Sequence, residues 1–138
     1  MNENEGRWVR QTFDFHFDCL EKGIDSSRQF YIALLDSTIV GIIGLHHSRW
    51  GPDENVWLSW FAVRPDYQGQ GIGKWLMTNI QKTALDQGYR KLFVETYREA
   101  TFHRAIGFYQ QQGFQQVGSI AQFLPDGSDM LVFARNLD

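Results

Sequence analysis

Gly69, Gly71 and Gly73 alternate with Gln70 and Ile72 immediately ahead of Lys74, and Pro65 and Gln68 lie just upstream. An apolar run from Trp57 to Val63 leads into this stretch, and an amphipathic helical pattern from Ile72 to Leu85 leads out of it. The glycines therefore fall where a strand hands over to a helix. The first turn of a helix carries N–H groups without intrahelical partners and the positive end of the helix dipole. Glycine lets that backbone approach a ligand closely, because no Cβ stands in the way. The expected chemistry is main-chain binding of a pyrophosphate by Gln68, Gly69, Gln70, Gly71, Ile72, Gly73 and Lys74.

Two familiar phosphate loops are excluded by spacing. A dinucleotide fingerprint needs Gly-x-Gly-x-x-Gly, and the glycines here follow one another at every second position. A P-loop needs four residues between its first glycine and its Gly-Lys pair, then a hydroxyl residue. Here three residues separate Gly69 from Gly73, and Trp75 follows Lys74. What remains is Gln68-x-x-Gly71-x-Gly73. A second segment, Ala105-Ile106-Gly107-Phe108-Tyr109 followed by Gly113-Phe114, places Phe102, Ala105, Ile106 and Tyr109 on one helical face and a glycine at its end.

In this order and at this separation the two segments resemble the GNAT family of N-acetyltransferases, over roughly Gln29 to the C-terminus. The resemblance implies acetyl-CoA as acyl donor and a primary amine as acceptor, a small molecule or a protein N-terminus or lysine, attacking directly in a ternary complex. It implies two parallel strands that splay apart, with the pantetheine arm bonded to the backbone of Phe61, Ala62 and Val63. It assigns Tyr109 as the acid that protonates the departing thiolate. An alkyl amine has an unperturbed pKa of about 10.4, so a base or a desolvating pocket must also be present. The family's glutamate on the strand before the phosphate loop is replaced by Trp57 in the nearest register. Glu54 and Glu95 are the leading candidates for a base, with Asp53, His46 and His47 beside them. Strand alternation lets only one of the two histidines face the cleft. The family's asparagine near the late helix is Phe102 here. Both departures keep a second reading open, an acyl-CoA-binding module with weak or no turnover. A structural domain whose glycine loop binds nothing is the third.

Composition sets the outer limits. With 138 residues, 43% hydrophobic and 15% aromatic, the chain is expected to form one domain, 1–138, with a proper core. A net charge of -3 without a basic run argues against nucleic acid as a partner. No apolar stretch reaches membrane-spanning length, and the acidic N-terminus is unlike a secretory signal, so a cytoplasmic location without membrane contact is expected. Four histidines and the one cysteine, Cys19, form no metal-ligand spacing.

The elements that must position these groups follow from periodicity. Residues 1–10 read as loose. Phe13, Phe15 and Phe17 alternate like a strand, while Phe13, Phe17 and Leu20 fit a helix face, and Gly23 as a stop favours the helix. Strands are expected at 29–35, 39–47, 57–63, 91–96, 114–123 and 130–137. Helices are expected at 71–87, with Ile72, Trp75, Leu76, Ile80 and Ala84 buried, and at 102–112. This order gives an α/β (α+β) fold: a mixed, mostly antiparallel sheet around a strand–helix–strand unit, with helices on both faces. The short N-terminal region, lacking room for the family's usual first strand and two helices, suggests an acceptor pocket that is open or completed by a second copy in a homodimer. Trp50, Trp57, Trp60 and Phe61, with Asp53, Glu54, Glu95 and Glu99 nearby, suggest a cationic amine with an apolar portion as acceptor.

Overall fold

The computed structural model describes residues 3–138. Six strands form one sheet in the order β1-β2-β3-β4-β6-β5. They are β1 (Arg28–Leu35), β2 (Thr38–His46), β3 (Asn55–Val63), β4 (Lys91–Tyr97), β5 (Gln115–Ile120) and β6 (Met130–Asn136). Only β3 and β4 pair in parallel, with α2 (Ile72–Asp86) as their crossover. The expected mixed, mostly antiparallel sheet is therefore present. β1 and β2 turn over Asp36 and Ser37, which take φ of 48° and 66°. Two left-handed residues in succession suit the twist of a two-residue hairpin.

The N-terminus differs from expectation. Residues 3–10 belong to α1 (Glu3–Glu21) instead of a loose segment, and no strand precedes it among the described residues. Periodicity from Phe13 onward marked only the second half of this helix, because the first half is polar. Its rings settle the strand-or-helix ambiguity: Phe13 packs on Phe30 of β1 at 4.6 Å between centroids. Phe15 and Phe17 stay exposed.

The sheet's two faces are covered separately. Gly41 admits α2 closely: a Cβ there would lie 2.8 Å from Leu76 Cδ1. The Gly41–Ile43–Leu45 face of β2 thus lies under α2, and the opposite face, with Phe30, lies under α1. The α2 stripe buries Leu76, Met77, Ile80 and Ala84. Met77 replaces the expected Trp75, which is 56% exposed. The segment around Ala105–Tyr109 folds as α3 (His103–Gln111), entered by a 3-10 turn at Ala100–Phe102, and its Tyr109 joins the α2-side core. Phe114 N donates to Tyr109 O at 3.0 Å past Gly113 and closes α3.

Candidate active site

The parallel ladder between β3 and β4 covers three residue pairs, from Asn55↔Lys91 to Trp57↔Phe93. Beyond them the strands part. The β2–β3 register shifts between Ile42 and Gly44, so that β3 carries an extra residue at Trp60–Phe61. Trp60 has φ +27°, a conformation a bulky residue adopts only under constraint. Such a bulge bends its strand and ends local pairing. The indole Nε1 of Trp60 donates to Thr12 Oγ1 of α1 at 3.0 Å, which fixes the bulged side chain toward α1. Beyond Trp57, the β4-facing main chain of β3 is left without a strand neighbour. Buried amides need partners, so the gap is suited to an extended ligand.

The gap opens into a cleft of about 1740 Å³. At one end stands the glycine loop. Gly69 and Gly71 have φ of +78° and +83°, the left-handed region that glycine tolerates best. Gly71 is the N-cap of α2 and supplies no side-chain cap, so the first N–H groups of the helix stay available. No hydrogen bond from the amides of Gly69 to Lys74 to another described residue is present, Trp75 N→Gly71 O being the first of the helix. An unpaired, convex-free backbone at a helix N-terminus fits a pyrophosphate. Gly73 has another reason to be glycine: its Cβ would meet Phe61 Cζ at 3.4 Å. Gln68 acts as a strut, its Nε2 donating to Val63 O and its Oε1 accepting from Arg104 Nη1, each at 3.0 Å.

The other expected residues divide. Tyr109, Glu95, Phe61, Ala62, Val63, Gln68, Gly69, Gly71, Ile72, Gly73 and Lys74 line the cleft. Gln70 and Glu54 do not. Glu54 precedes the first residue of β3, at the end away from the splay, and its carbonyl accepts from the Arg90 and Lys91 amides. Asp53, Glu99 and Trp50 also stand outside, and Trp50 is 91% exposed. Of the two histidines, His46 lines the cleft, while His47 Nδ1 is engaged with Asn55 O at 3.0 Å.

Tyr109 is 7% exposed, its ring packed edge-on against Phe108 and Phe114. Burial pushes its hydroxyl well above the ordinary tyrosine range, so it stays protonated at neutral pH. Glu95 keeps solvent access, yet the protein packed around it raises its carboxyl above the usual range, opposed by the charge of Arg28. Desolvation lowers the pKa of His46, helped by Arg28 and His47, which keeps the ring neutral. Tyr97 is pushed up to about 12 by burial, then by the charges of Glu95 and Glu5.

Five contributors escaped the sequence reading. Thr96 is 2% exposed and its Oγ1 has no hydrogen-bond partner among the described residues, although it borders the cleft. Arg28 and Arg104 enter the cleft from elements whose periodicity says nothing about charge. Trp8 and Thr12 enter from α1, part of which read as loose. Among the described residues no group of three or more His, Cys, Asp or Glu is placed to hold a metal, and no helix is long and apolar enough to cross a membrane.

A model described as "Acetyltransferase (GNAT) family" matches residues 2–114. The chain is 31% identical over 103 residues to N-acetyltransferase 8B of Rattus norvegicus, covering 73% of this chain and 44% of the rat protein, less than half its length. A crystal structure of a GNAT-family acetyltransferase from Desulfovibrio desulfuricans superposes over all of this chain and 84% of that one, with TM-score 0.87 and 21% identity. A GNAT-family acetyltransferase from Elizabethkingia anophelis, solved with acetyl-CoA bound, superposes with TM-score 0.72 and 25% identity over 81% of this chain and 78% of that one.

Proposed function

We propose, from the premise that this chain belongs to the acetyltransferase (GNAT) family, that it is an acetyl-CoA-dependent N-acetyltransferase whose primary-amine acceptor attacks directly in a ternary complex. The observation that carries this reading is the β3–β4 gap, which opens at one end on the glycine loop and contains Tyr109 in its lining.

The bound donor supplies an activated acyl group, so that a C–N bond to the acceptor replaces the C–S bond of the thioester and one proton leaves the nitrogen. The amides from Gly69 to Lys74 hold the pyrophosphate, and the free edge of β3 from Phe61 to Val63 bonds the pantetheine arm. A β3 amide in that edge polarises the thioester carbonyl, as oriented donors do in other acyl transfers. Tyr109 gives its hydroxyl proton to the departing sulfur. Glu95, raised above the ordinary carboxylate range, takes the proton from nitrogen directly or through water. It is preferred to Glu54, which precedes β3 and does not line the cleft. Its charge and the aromatic rings of Trp57, Trp60 and Phe61 suit a cationic amine with an apolar portion.

The test is titration calorimetry with acetyl-CoA, followed by thiol release with a panel of amines. Micromolar binding with amine-dependent release supports the reading. Binding without release for any amine leaves an acyl-CoA-binding module, and no binding removes both.

A further inference from the structure

Arg28 opens β1 on the face covered by α1 and pairs in register with His46. Its Nη1 donates to Ser59 Oγ at 3.1 Å. A guanidinium carries five donors, and this one is half-buried in the cleft. Among the described residues no carboxylate lies within ion-pair distance of it, whereas four arginine or lysine side chains elsewhere have one. Desolvating a cation that no carboxylate touches is costly, and although the charge of Glu95 acts on Arg28 from beyond contact distance, its free donors are suited to an anion brought by a ligand.

The surroundings restrict that ligand. The phosphate loop leads into α2, on the opposite face of the sheet, so Arg28 stands apart from the phosphate cradle. Neighbouring strand pairs place Arg28, His46, Trp57 and Phe93 in one row on the α1 face. Trp57 and Phe93 stack at 5.1 Å and form an apolar floor. Two residues beyond Phe93 on β4, on the same face, Glu95 borders the gap. The fork, held at Ser59 two residues beyond Trp57, and the Glu95 carboxylate feel each other's charge, so this face offers both ends of a zwitterion a partner close together.

We infer that the acceptor is a free amino acid with an apolar or aromatic side chain, its carboxylate held by Arg28 and its amino group presented at the gap beside Glu95. The inference rests on the acetyltransferase reading and narrows it. Arginine binds a carboxylate through two parallel donors, which fixes orientation as well as charge. Ser59, 5% exposed, acts as a positioning residue by holding the fork in place.

The experiment compares L-phenylalanine, its amide and phenethylamine as acceptors by thiol release, with spermidine and an aliphatic amino acid in the same panel. The carboxylate should raise kcat/KM about tenfold to a hundredfold over the amide and the amine. Arg28→Gln should collapse that ratio, Arg28→Lys should keep part of it, and Ser59→Ala should reduce it through KM. Unfolding temperatures check that the variants fold, and Ser59→Ala carries the test if Arg28→Gln does not. Calorimetry of L-phenylalanine against CoA-loaded protein gives a second readout. Equal or better use of the amide or amine, or reaction with spermidine alone, overturns the inference and leaves the acetyltransferase standing. Transfer to no amine at all overturns both.

Discussion

Arg104, in the first turn of α3, donates to the side-chain oxygen of Gln68 at 3.0 Å and so ties that helix to the phosphate loop. The other end of the same amide holds the last carbonyl of β3, Val63 O. One glutamine thereby couples the three elements that meet at the loop. Gln68→Ala should weaken acetyl-CoA binding about three- to tenfold, the scale of one or two net hydrogen bonds. Arg104→Ala should do the same at low salt, with a smaller effect at high salt because the guanidinium is exposed. Calorimetry at two ionic strengths checks both, and an unchanged Kd for Gln68→Ala would show that the strut is dispensable.

Two glycines of the loop should fail in different ways. Gly71→Val places a β-branched residue at φ +83° at the helix N-cap and should abolish acetyl-CoA binding. Gly73→Val has ordinary helical backbone but presses on Phe61, and should lower stability by about 1–3 kcal/mol as well as binding. Binding titrations beside thermal melts distinguish the two, and parental affinity in both variants would disprove the cradle.

Thr96→Val removes a buried hydroxyl that has no hydrogen-bond partner among the described residues. Relief of that burial is worth about 1 kcal/mol, or roughly 3–5 °C in Tm for a chain of this size. The same change should lower affinity for acetyl-CoA or the rate of transfer, because the hydroxyl borders the gap. A variant that is more stable and equally active would show that the hydroxyl meets no ligand.

Tyr109→Phe keeps the packing against Phe108 and Phe114 and removes one proton donor. Tm and acetyl-CoA affinity should change little, and kcat should fall by about ten- to a thousand-fold. The loss should shrink for thioesters of more acidic thiols. Wild-type turnover under conditions where chemistry limits the rate would take Tyr109 out of the mechanism.

Glu95 gives a pH dependence with a definite sign. Its folded pKa is raised, so the folded state binds the proton more tightly than the unfolded state does. That contribution to stability is fully present below the ordinary carboxylate pKa and is lost as pH rises through the folded value. Glu95→Gln should therefore gain Tm relative to the parent at neutral pH and converge with it in acid. The parent's kcat/KM should rise with pH through the same window, and the Gln variant should lose that limb. A pH–rate profile unchanged by the substitution would exclude Glu95 as the base.

The fold and the glycine-loop end of the cleft were legible because they rest on backbone. Glycine spacing, the strand-to-helix handover and the Gly113 stop are local signals, and all three reappear in the structure. The rest depends on what lies across the sheet. Trp75 fits the α2 stripe by period but sits on its edge, and Met77 takes its place. Residues 3–10 look loose because Trp8 and Val9 are their only apolar side chains, too few to mark a periodic face. Arg28 and Ser59 lie far apart in sequence, and only the β1–β2–β3 register brings them into contact. Glu54 and Glu95 are equivalent by composition, and only their positions, just before β3 and within β4, separate them.

Three residue pairs are all that join β3 to β4. The hairpin of β1 and β2 with β3 and the antiparallel trio of β4, β6 and β5 therefore share a short seam. Hydrogen exchange should report this directly. Those amides of Val56, Trp57, Leu92 and Phe93 that point across the β3–β4 seam should exchange through a local opening well before those of the β4–β6 ladder, where seven residue pairs are matched. A donor molecule lying in the gap would act as a clamp across that seam. Protection should then climb with its concentration as mass action requires, and resistance to proteases should climb with it. The abundance of the protein in a cell would in that way follow its supply of acyl donor, through turnover of the unclamped form and without any separate regulatory site.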